Sequence, residues 1–405
     1  MNLYDLKNVK KEKSLSVFLT YVLFTCIVYI LPYTKFVVPY ILAAIIMLGS
    51  LLFILIRQDK NFELVLLLLF LSVFYAVIAL AAGRNVVGGI NEGIRNIRFF
   101  IPAFWGLYAL RYCNQRQKNM FILFFSIVVL FIFVKTTIAL EKDPWIARIL
   151  AKDKSHSSNE LNQYRLQNVG GFEFSYMMGI ITLCLVYAAL KVKKYFLKIL
   201  FIVLIILCFN YIITTMYTTL LLLTFVGMII LLLINIKDKI VKFLLVIIGL
   251  FSLLFLGDIF RFLSTILPQD SLLVTRFESI YQSIYEGDAG QLGVRPQLIL
   301  QSLNKWINNP LFGRYDATSD SHSMIIGLLE ETGIAGLLII SFLFYTFTKR
   351  VYKELKSKKL PIDLYVVSII FLVLLAFFNP IGYVFEVTIA VYFIVPLCTE
   401  LFYIR

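Results

Sequence analysis

The chain has 405 residues, of which 60% are apolar and 15% are charged, and its 38 Lys and Arg residues outnumber its 24 Asp and Glu residues by 14. Soluble domains average roughly 45–50% apolar and about 25% charged residues, so this composition excludes an ordinary soluble enzyme. It also argues against a nucleic-acid-binding protein, because the charges form short clusters between long apolar runs and not one basic surface.

The apolar runs predict an all-α, polytopic integral membrane protein. A bilayer core about 30 Å thick needs roughly 20 apolar residues of helix, because lipid offers the backbone no hydrogen-bond partner. Twelve segments meet or approach this length: residues 14–33, 36–56, 62–82, 99–110, 120–140, 172–192, 196–213, 218–236, 240–256, 323–347, 360–378 and 381–403. They predict one membrane domain, residues 1–405, with about twelve transmembrane helices.

Two of these segments are unusual in length. Residues 99–110 are too few for a full crossing, so we expect that helix to begin earlier, near Gly89. The apolar run from Tyr195 to Ile236 is too long for a single crossing. We divide it at the polar residues 214–217.

The distribution of basic residues predicts that both chain termini lie in the cytoplasm. In this orientation 23 of the 38 Lys and Arg residues fall on the cytoplasmic side, in agreement with the positive-inside rule. No small-residue cleavage site follows the first segment, so we expect it to remain as an anchor. The five cysteines lie in or beside the predicted spans, at spacings that indicate neither a disulfide framework nor a metal site.

Two long outer loops are predicted, residues 141–171 and residues 258–322. The first loop carries Arg165 and His156, and no motif surrounds His156, which we interpret as an exposed loop residue. The second loop is the longest polar stretch of the chain. A loop of this length is uncommon unless it has structure or a function of its own, so we expect the functional site there.

Apolar residues at helical spacing predict two amphipathic helices within the second loop, one near residues 273–284 and one near residues 299–307. The second of these has Arg295 and Pro296 at its start, and Asn309-Pro310 stops it. Both helices are expected to lie on the outer membrane face.

The end of the second loop places a histidine close to the next membrane helix. Ser319, Asp320 and Ser321 are all good N-cap residues, so His322 is expected in the first turn of that helix, at the outer membrane boundary. Free backbone N–H groups and the positive end of the helix dipole would face any phosphate that arrives there.

Two stretches of the chain resemble a known family. The run from His322-Ser323 to Glu331-Thr332-Gly333-Ile334-Ala335-Gly336-Leu337 resembles the His-Asn/Ser … Glu-x-Gly-Ile-x-Gly-Leu segment of the O-antigen ligase and polymerase (Wzy-type) family. Upstream, Arg295, Trp306 and Asn309-Pro310-Leu311-Phe312-Gly313 resemble the family's Arg…Trp…Asn-Pro-Leu-x-Gly stretch. The chain departs from the pattern at residues 214–219, where family ligases often carry a Ser-Arg pair and this chain has no arginine.

The resemblance implies glycosyl transfer on the outer face of a bacterial plasma membrane. The donor would be an oligosaccharide on a polyprenyl diphosphate, and the implied partners are membrane lipids, a chain-length regulator and a flippase. We expect a polymerase of O-antigen or capsule repeat units. The alternatives are a ligase that transfers the glycan to a lipid A core, a lipid-linked glycan flippase or transporter, and a non-catalytic scaffold.

The resemblance also implies roles for particular residues. His322 would orient or deprotonate the acceptor hydroxyl, and Arg295 would hold the diphosphate. Glu331 is expected to pair with an arginine inside the membrane, while Gly333 and Gly336 allow close helix contacts. Further candidates for substrate binding are Arg276, Arg314, Arg165 and Arg98, the last on a Gly-rich outer connection from Gly83 to Arg98. No Asp-x-Asp motif is present, so we expect neither a metal nor a cofactor.

Overall fold

A computed structural model of the chain describes residues 22–37, 62–81, 86–143, 145–151, 159–215, 217–244, 255–266, 290–314, 323–379 and 384–403, together with residues 49, 247, 274, 277, 278, 281 and 282. The described residues are almost entirely helical and contain no strand.

The described helices are numbered here in chain order. In the first half they are α1 (Pro32–Val37), α2 (Phe62–Ala81), α3 (Val86–Tyr112), α4 (Gln115–Lys142), α5 (Ile146–Ala151), α6 (Asn159–Leu166), α7 (Phe172–Lys191) and α8 (Tyr195–Thr214). In the second half they are α9 (Thr218–Asn235), α10 (Leu256–Ile266), α11 (Gly290–Ile307), α12 (Met324–Ser357), α13 (Asp363–Phe378) and α14 (Phe385–Tyr403). Residues 22–30 and 239–244 are also helical.

Six of the described helices, α4, α7, α8, α9, α12 and α14, are long and apolar enough to cross a membrane. They indicate a helical membrane protein, as the composition predicts, while the number of about twelve spans stays a prediction. The division of the long apolar run is confirmed, because α8 ends at Thr214 and α9 begins at Thr218.

The fourth predicted span does begin earlier than its apolar core, since α3 starts at Val86. Residues 86–98, most of the stretch interpreted as an outer connection, are therefore helical. Glycine lowers helix propensity by about 1 kcal/mol per residue, but α3 packs along α2 and buries Ile97 and Phe100. Tertiary packing thus extends the helix through a Gly-rich stretch.

The loops differ from the sequence-based expectation in three places. The first outer loop contains two short helices, α5 and α6, that the pattern did not predict. Helix α10 begins at Leu256, the last residue of the span predicted at residues 240–256, and continues into the predicted second loop as far as Ile266. The helix expected to start at Arg295 begins at Gly290, whereas its end before Asn309-Pro310 is confirmed. Most of the helix expected near residues 273–284 lies outside the described residues.

The chain divides into two compact units. The first contains residues 1–224, 339–372 and 382–405, and its core lies between α3, α7 and α14, where Trp105 and Tyr187 are fully buried. There Gly106 permits a close approach, because a Cβ at this position would overlap the Tyr392 carbonyl oxygen. The second unit contains residues 225–338 and 373–381.

Candidate functional site

The first element of the candidate site is the turn that follows α11. Pro310 cannot continue a helix, and the chain turns back so that Gly313 N donates to Asn309 O at 2.9 Å. The indole Nε1 of Trp306 donates to the carbonyl oxygen of Pro310 at 3.0 Å. The Trp…Asn-Pro-Leu-x-Gly stretch is therefore one hydrogen-bonded turn.

The second element is a break inside α12. Gly333 has φ +65° and ψ −165°, which separates α12 into a part from Met324 to Thr332 and a part from Ile334 to Ser357. This backbone conformation is essentially restricted to glycine. In an unbroken helix the Ile334 N–H would donate to the Glu330 carbonyl oxygen, so the break leaves both groups in need of other partners.

The turn supplies these partners. Three backbone hydrogen bonds join the two elements, from Ile334 N to Pro310 O (2.9 Å), from Ala335 N to Leu311 O (3.1 Å) and from Arg314 N to Glu330 O (2.8 Å). We call this arrangement, residues 306–314 with residues 330–335, the crossing. It satisfies backbone groups on both sides of the break, which would otherwise cost about 1–3 kcal/mol each when buried.

Both glycines of the crossing lie where no larger residue fits. Gly313 has φ +67°, and a Cβ there would come within 2.5 Å of the Glu331 carbonyl carbon and 2.6 Å of Thr332 N. A Cβ at Gly333 would come within 2.6 Å of Phe312 N. The backbones of the turn and the break thus touch without intervening side chains. Gly313 belongs to the Asn-Pro-Leu-x-Gly stretch, and Gly333 belongs to the Glu-x-Gly-Ile-x-Gly-Leu stretch.

A buried ion pair lies beside the crossing. The Glu330 side chain is 0% exposed, and its Oε1 accepts a hydrogen bond from Lys305 Nζ at 2.8 Å. A buried carboxylate without a cation is strongly destabilising, so Lys305 makes the position of Glu330 possible. The structure pairs Glu330 with a lysine of α11, and Glu331 is half-buried. The expected pairing of Glu331 with an arginine stays a prediction.

The described part of α12 begins at Met324. Ser323 is the N-cap residue, since its carbonyl accepts from Gly327 N at 2.9 Å, and the helix begins at Met324. The prediction that His322 lies in the first helical turn concerns a residue outside the described part of the chain, and it stays a prediction. Met324 N donates to Asn379 O at 3.1 Å and Ile326 N approaches Ser323 Oγ at 3.5 Å, so two N–H groups expected to face phosphate are bonded inside the protein.

The predicted site residues of the second unit are distributed as follows. His322 and Arg276 lie outside the described residues. Arg295 is on α11, ten residues before Lys305, which is about 15 Å along the helix axis, and its side chain also lies outside the described part. Arg314 belongs to the crossing and its side chain is exposed. Convergence of Arg295 with His322 stays a prediction.

Two further candidates lie in the first unit. Arg98 is half-buried on α3. Arg165 is half-buried on α6, and burial lowers the pKa of its guanidinium. Helix α6 is held in place at its end, where Asn168 has φ +61° and its Oδ1 accepts from Tyr33 N at 3.0 Å. Neither arginine takes part in the crossing.

Sequence reasoning missed three residues with structural roles. Lys305 and Asn379 have no signal in the pattern, because each bonds to a residue distant in sequence. Tyr217 lies within residues 214–219, the segment where family ligases often carry a Ser-Arg pair. Its hydroxyl donates to the Ala147 carbonyl and its ring lies 5.4 Å from that of Phe172, so it fastens the first outer loop to α7. The unusual Thr-rich composition there could have drawn attention to it.

Neither models of known protein families nor the curated proteins provide a match to this chain. Within the described part of the chain, no three His, Cys, Asp or Glu side chains lie together as a metal site would require. The family resemblance consequently rests on the motif residues themselves.

Proposed function

We propose that this protein is a polysaccharide polymerase that joins polyprenyl-diphosphate-linked repeat units on the outer face of a bacterial plasma membrane. The observation that supports the proposal is the crossing. The two stretches that resemble the family, each weak by itself, are joined in the fold by three backbone hydrogen bonds, and their glycines lie at the contact.

The crossing connects the elements that the reaction needs. It fastens the C-terminal end of α11 to α12. Arg295 lies nearer the start of α11, and in the sequence His322 directly precedes Ser323, the cap residue of α12. In the proposed step the acceptor sugar hydroxyl attacks the anomeric carbon of the donor, and the bond from that carbon to the phosphate oxygen breaks. The electron pair leaves with the polyprenyl diphosphate, and the hydroxyl proton passes to His322.

Arginines carry the diphosphate charge in this proposal. The first-turn N–H groups of Met324 and Ile326 already have protein acceptors, so the start of α12 has little capacity to bind an anion. Arginine suits the task because its guanidinium binds phosphate oxygens in a bidentate manner. Arg295 is the first candidate, and Arg314 is the second because its backbone is part of the crossing.

A ligase that transfers the glycan to a lipid A core would use the same chemistry with another acceptor. One observation favours the polymerase. Where family ligases carry a Ser-Arg pair, this chain has threonines followed by Tyr217, and that tyrosine holds Ala147 and packs against Phe172. No guanidinium is available from this segment to contact a diphosphate.

A transporter of lipid-linked glycans is a second candidate function, and the broken helix α12 favours it. Transporters often bind substrate at the exposed backbone groups of broken helices. Here the N–H groups of Ile334 and Ala335 and the carbonyl of Glu330 are bonded to the turn. They are occupied within the protein, and we therefore prefer the enzyme.

The test is reconstitution of the purified protein in liposomes with polyprenyl-diphosphate-linked repeat units. The chain has only two histidines, so His156→Ala is a matched control for His322→Ala. We expect a ladder of lengthening lipid-linked products from the wild type and from His156→Ala, and none from His322→Ala at equal protein level.

Four other results would change the assignment or the role of His322. Product formed only after addition of lipid A core would indicate the ligase. Movement of the lipid-linked unit across the liposome membrane without lengthening would indicate the transporter. No product and no movement in any of these mixtures would refute the proposed function and its alternatives, and a ladder made equally well by His322→Ala would remove that residue from the mechanism.

A further inference from the structure

One face of α12 is exposed along its second half. Phe342, Tyr345, Lys349, Lys353 and Lys356 follow one another at intervals of three or four residues and therefore share one side of the helix. Phe342 is 55% exposed and Tyr345 is 57% exposed, and the three lysines are exposed as well. We call these five residues the exposed stripe. The other side of the helix is buried, with Phe347, Val351 and Leu355 at 0%.

The chemistry of the exposed stripe changes in one direction. An apolar ring comes first, then a phenol, then three ammonium groups. Lys349 Nζ donates to the Tyr345 hydroxyl at 2.8 Å and lies 4.8 Å from the centre of its ring. Aromatic rings with a polar group, followed by lysines, are typical of the level at which lipid tails give way to headgroups.

The distances along the helix fit this boundary. Tyr345 and Lys349 are four residues apart, which is about 6 Å of helix, and Lys356 lies about 10 Å beyond Lys349. The lysines therefore extend from the level of the tyrosine hydroxyl through a layer of about headgroup thickness.

The neighbouring charges of this region have protein partners. Three ion pairs connect the inward-facing side of the helix end to the rest of the unit: Arg350 with Glu63 at 3.1 Å, Glu354 with Arg111 at 2.7 Å, and Lys358 with Glu400 at 3.8 Å. Among the described residues, no carboxylate lies within ion-pair distance of Lys349, Lys353 or Lys356. The three exposed ammonium groups are therefore accessible to solvent, ions or lipid.

We propose that the exposed stripe binds the headgroups of anionic phospholipids, with phosphodiester oxygens between Lys349, Lys353 and Lys356 and acyl chains along Phe342. A basic segment beside an apolar surface attracts the headgroup of an anionic lipid through its charge, and the apolar residues accommodate the acyl chains. The proposal does not depend on the proposed polymerase activity, since it concerns a different surface and a different ligand.

The test is lipid competition followed by native mass spectrometry of the full chain in detergent. The delipidated protein is mixed with equal amounts of phosphatidylglycerol and phosphatidylcholine, and the ratio of the two bound lipids is measured. The triple variant Lys349→Gln, Lys353→Gln, Lys356→Gln is compared with the triple Lys→Arg variant, which keeps the charge at the same three positions.

We expect the wild type and the arginine variant to prefer phosphatidylglycerol. One glutamine should lower the ratio about fivefold at low ionic strength, and three should lower it by roughly tenfold or more. An unchanged ratio in the glutamine variant would overturn the proposal, and it would also be the result if the stripe served a protein partner. If the triple variant fails to fold, the single variant Lys356→Gln gives the same decision.

Discussion

Replacement of Gly333 by alanine tests the crossing directly. The variant has two ways to respond. It can keep the break, in which case alanine takes a backbone conformation that costs about 1–3 kcal/mol and its Cβ collides with the turn near Phe312. It can instead straighten the helix, so that Ile334 N returns to Glu330 O and the turn is displaced.

The second response exchanges backbone hydrogen bonds at roughly equal energy, but it moves Glu330 away from Lys305. A buried carboxylate that loses its cation costs about 3 kcal/mol. Either response therefore destabilises the protein by about 2–4 kcal/mol. At roughly 1.2 °C per kcal/mol for a chain of this size, the unfolding midpoint should fall by about 2–5 °C.

The assay is thermal unfolding in detergent at a single scan rate, since membrane proteins of this size often unfold irreversibly. Gly171→Ala is the matched control. Gly171 has φ −93°, and a Cβ there would lie 3.5 Å from Leu150 Cβ, which is an ordinary contact. This control should cost less than about 1 kcal/mol. Equal midpoints for the Gly333→Ala and Gly171→Ala variants would refute the description of the crossing as a constrained element.

Three more predictions concern single side chains. Lys305→Met should lower the free energy of unfolding by about 3 kcal/mol, and the double variant with Glu330→Met should recover most of it; a double variant no more stable than the single one would contradict this. Lys118→Met should also lower the free energy of unfolding, and the double variant with Glu400→Met should recover most of the loss, because Lys118 Nζ lies 2.7 Å from Glu400 Oε2 and is buried. An unchanged free energy of unfolding in Lys118→Met would show that the pair is dispensable. Burial raises the pKa of the Cys113 thiol to about 12, so at pH 8.5 it stays protonated and maleimide labelling of the folded protein, followed by peptide mass spectrometry, should be far slower than in SDS.

Local rules explain the predictions that succeeded. The division of the long apolar run at residues 214–217 and the end of α11 before Asn309-Pro310 follow from span length and from the geometry of proline. The expectation that this helix begins well before residue 99, near Gly89, follows because residues 99–110 alone do not reach across a bilayer, and α3 begins at Val86.

The candidate site was predictable only as a set of residue types. The motif placed the Asn-Pro-Leu-x-Gly turn and Gly333 in one functional region, but not in contact. The sequence predicts one unbroken apolar helix over residues 323–347, because nothing local requires a break at Gly333. Only the carbonyls of Pro310 and Leu311, more than twenty residues away, provide acceptors that make the break stable.

Charge pairing shows the same limit. Helical periodicity separates Glu330 from Glu331 by angle, yet it does not identify which carboxylate is buried or what neutralises it. The fold brings Lys305 to Glu330, so Glu330 is the buried carboxylate and Lys305 neutralises it. The sequence by itself thus determined the helical membrane character, many of the helix limits and the motif residues, since these depend on hydrophobic length and on neighbours in the chain. The tertiary structure decided the helix break, the start of α12 and the Lys305–Glu330 pair, because each depends on hydrogen bonds or charges between residues far apart in sequence.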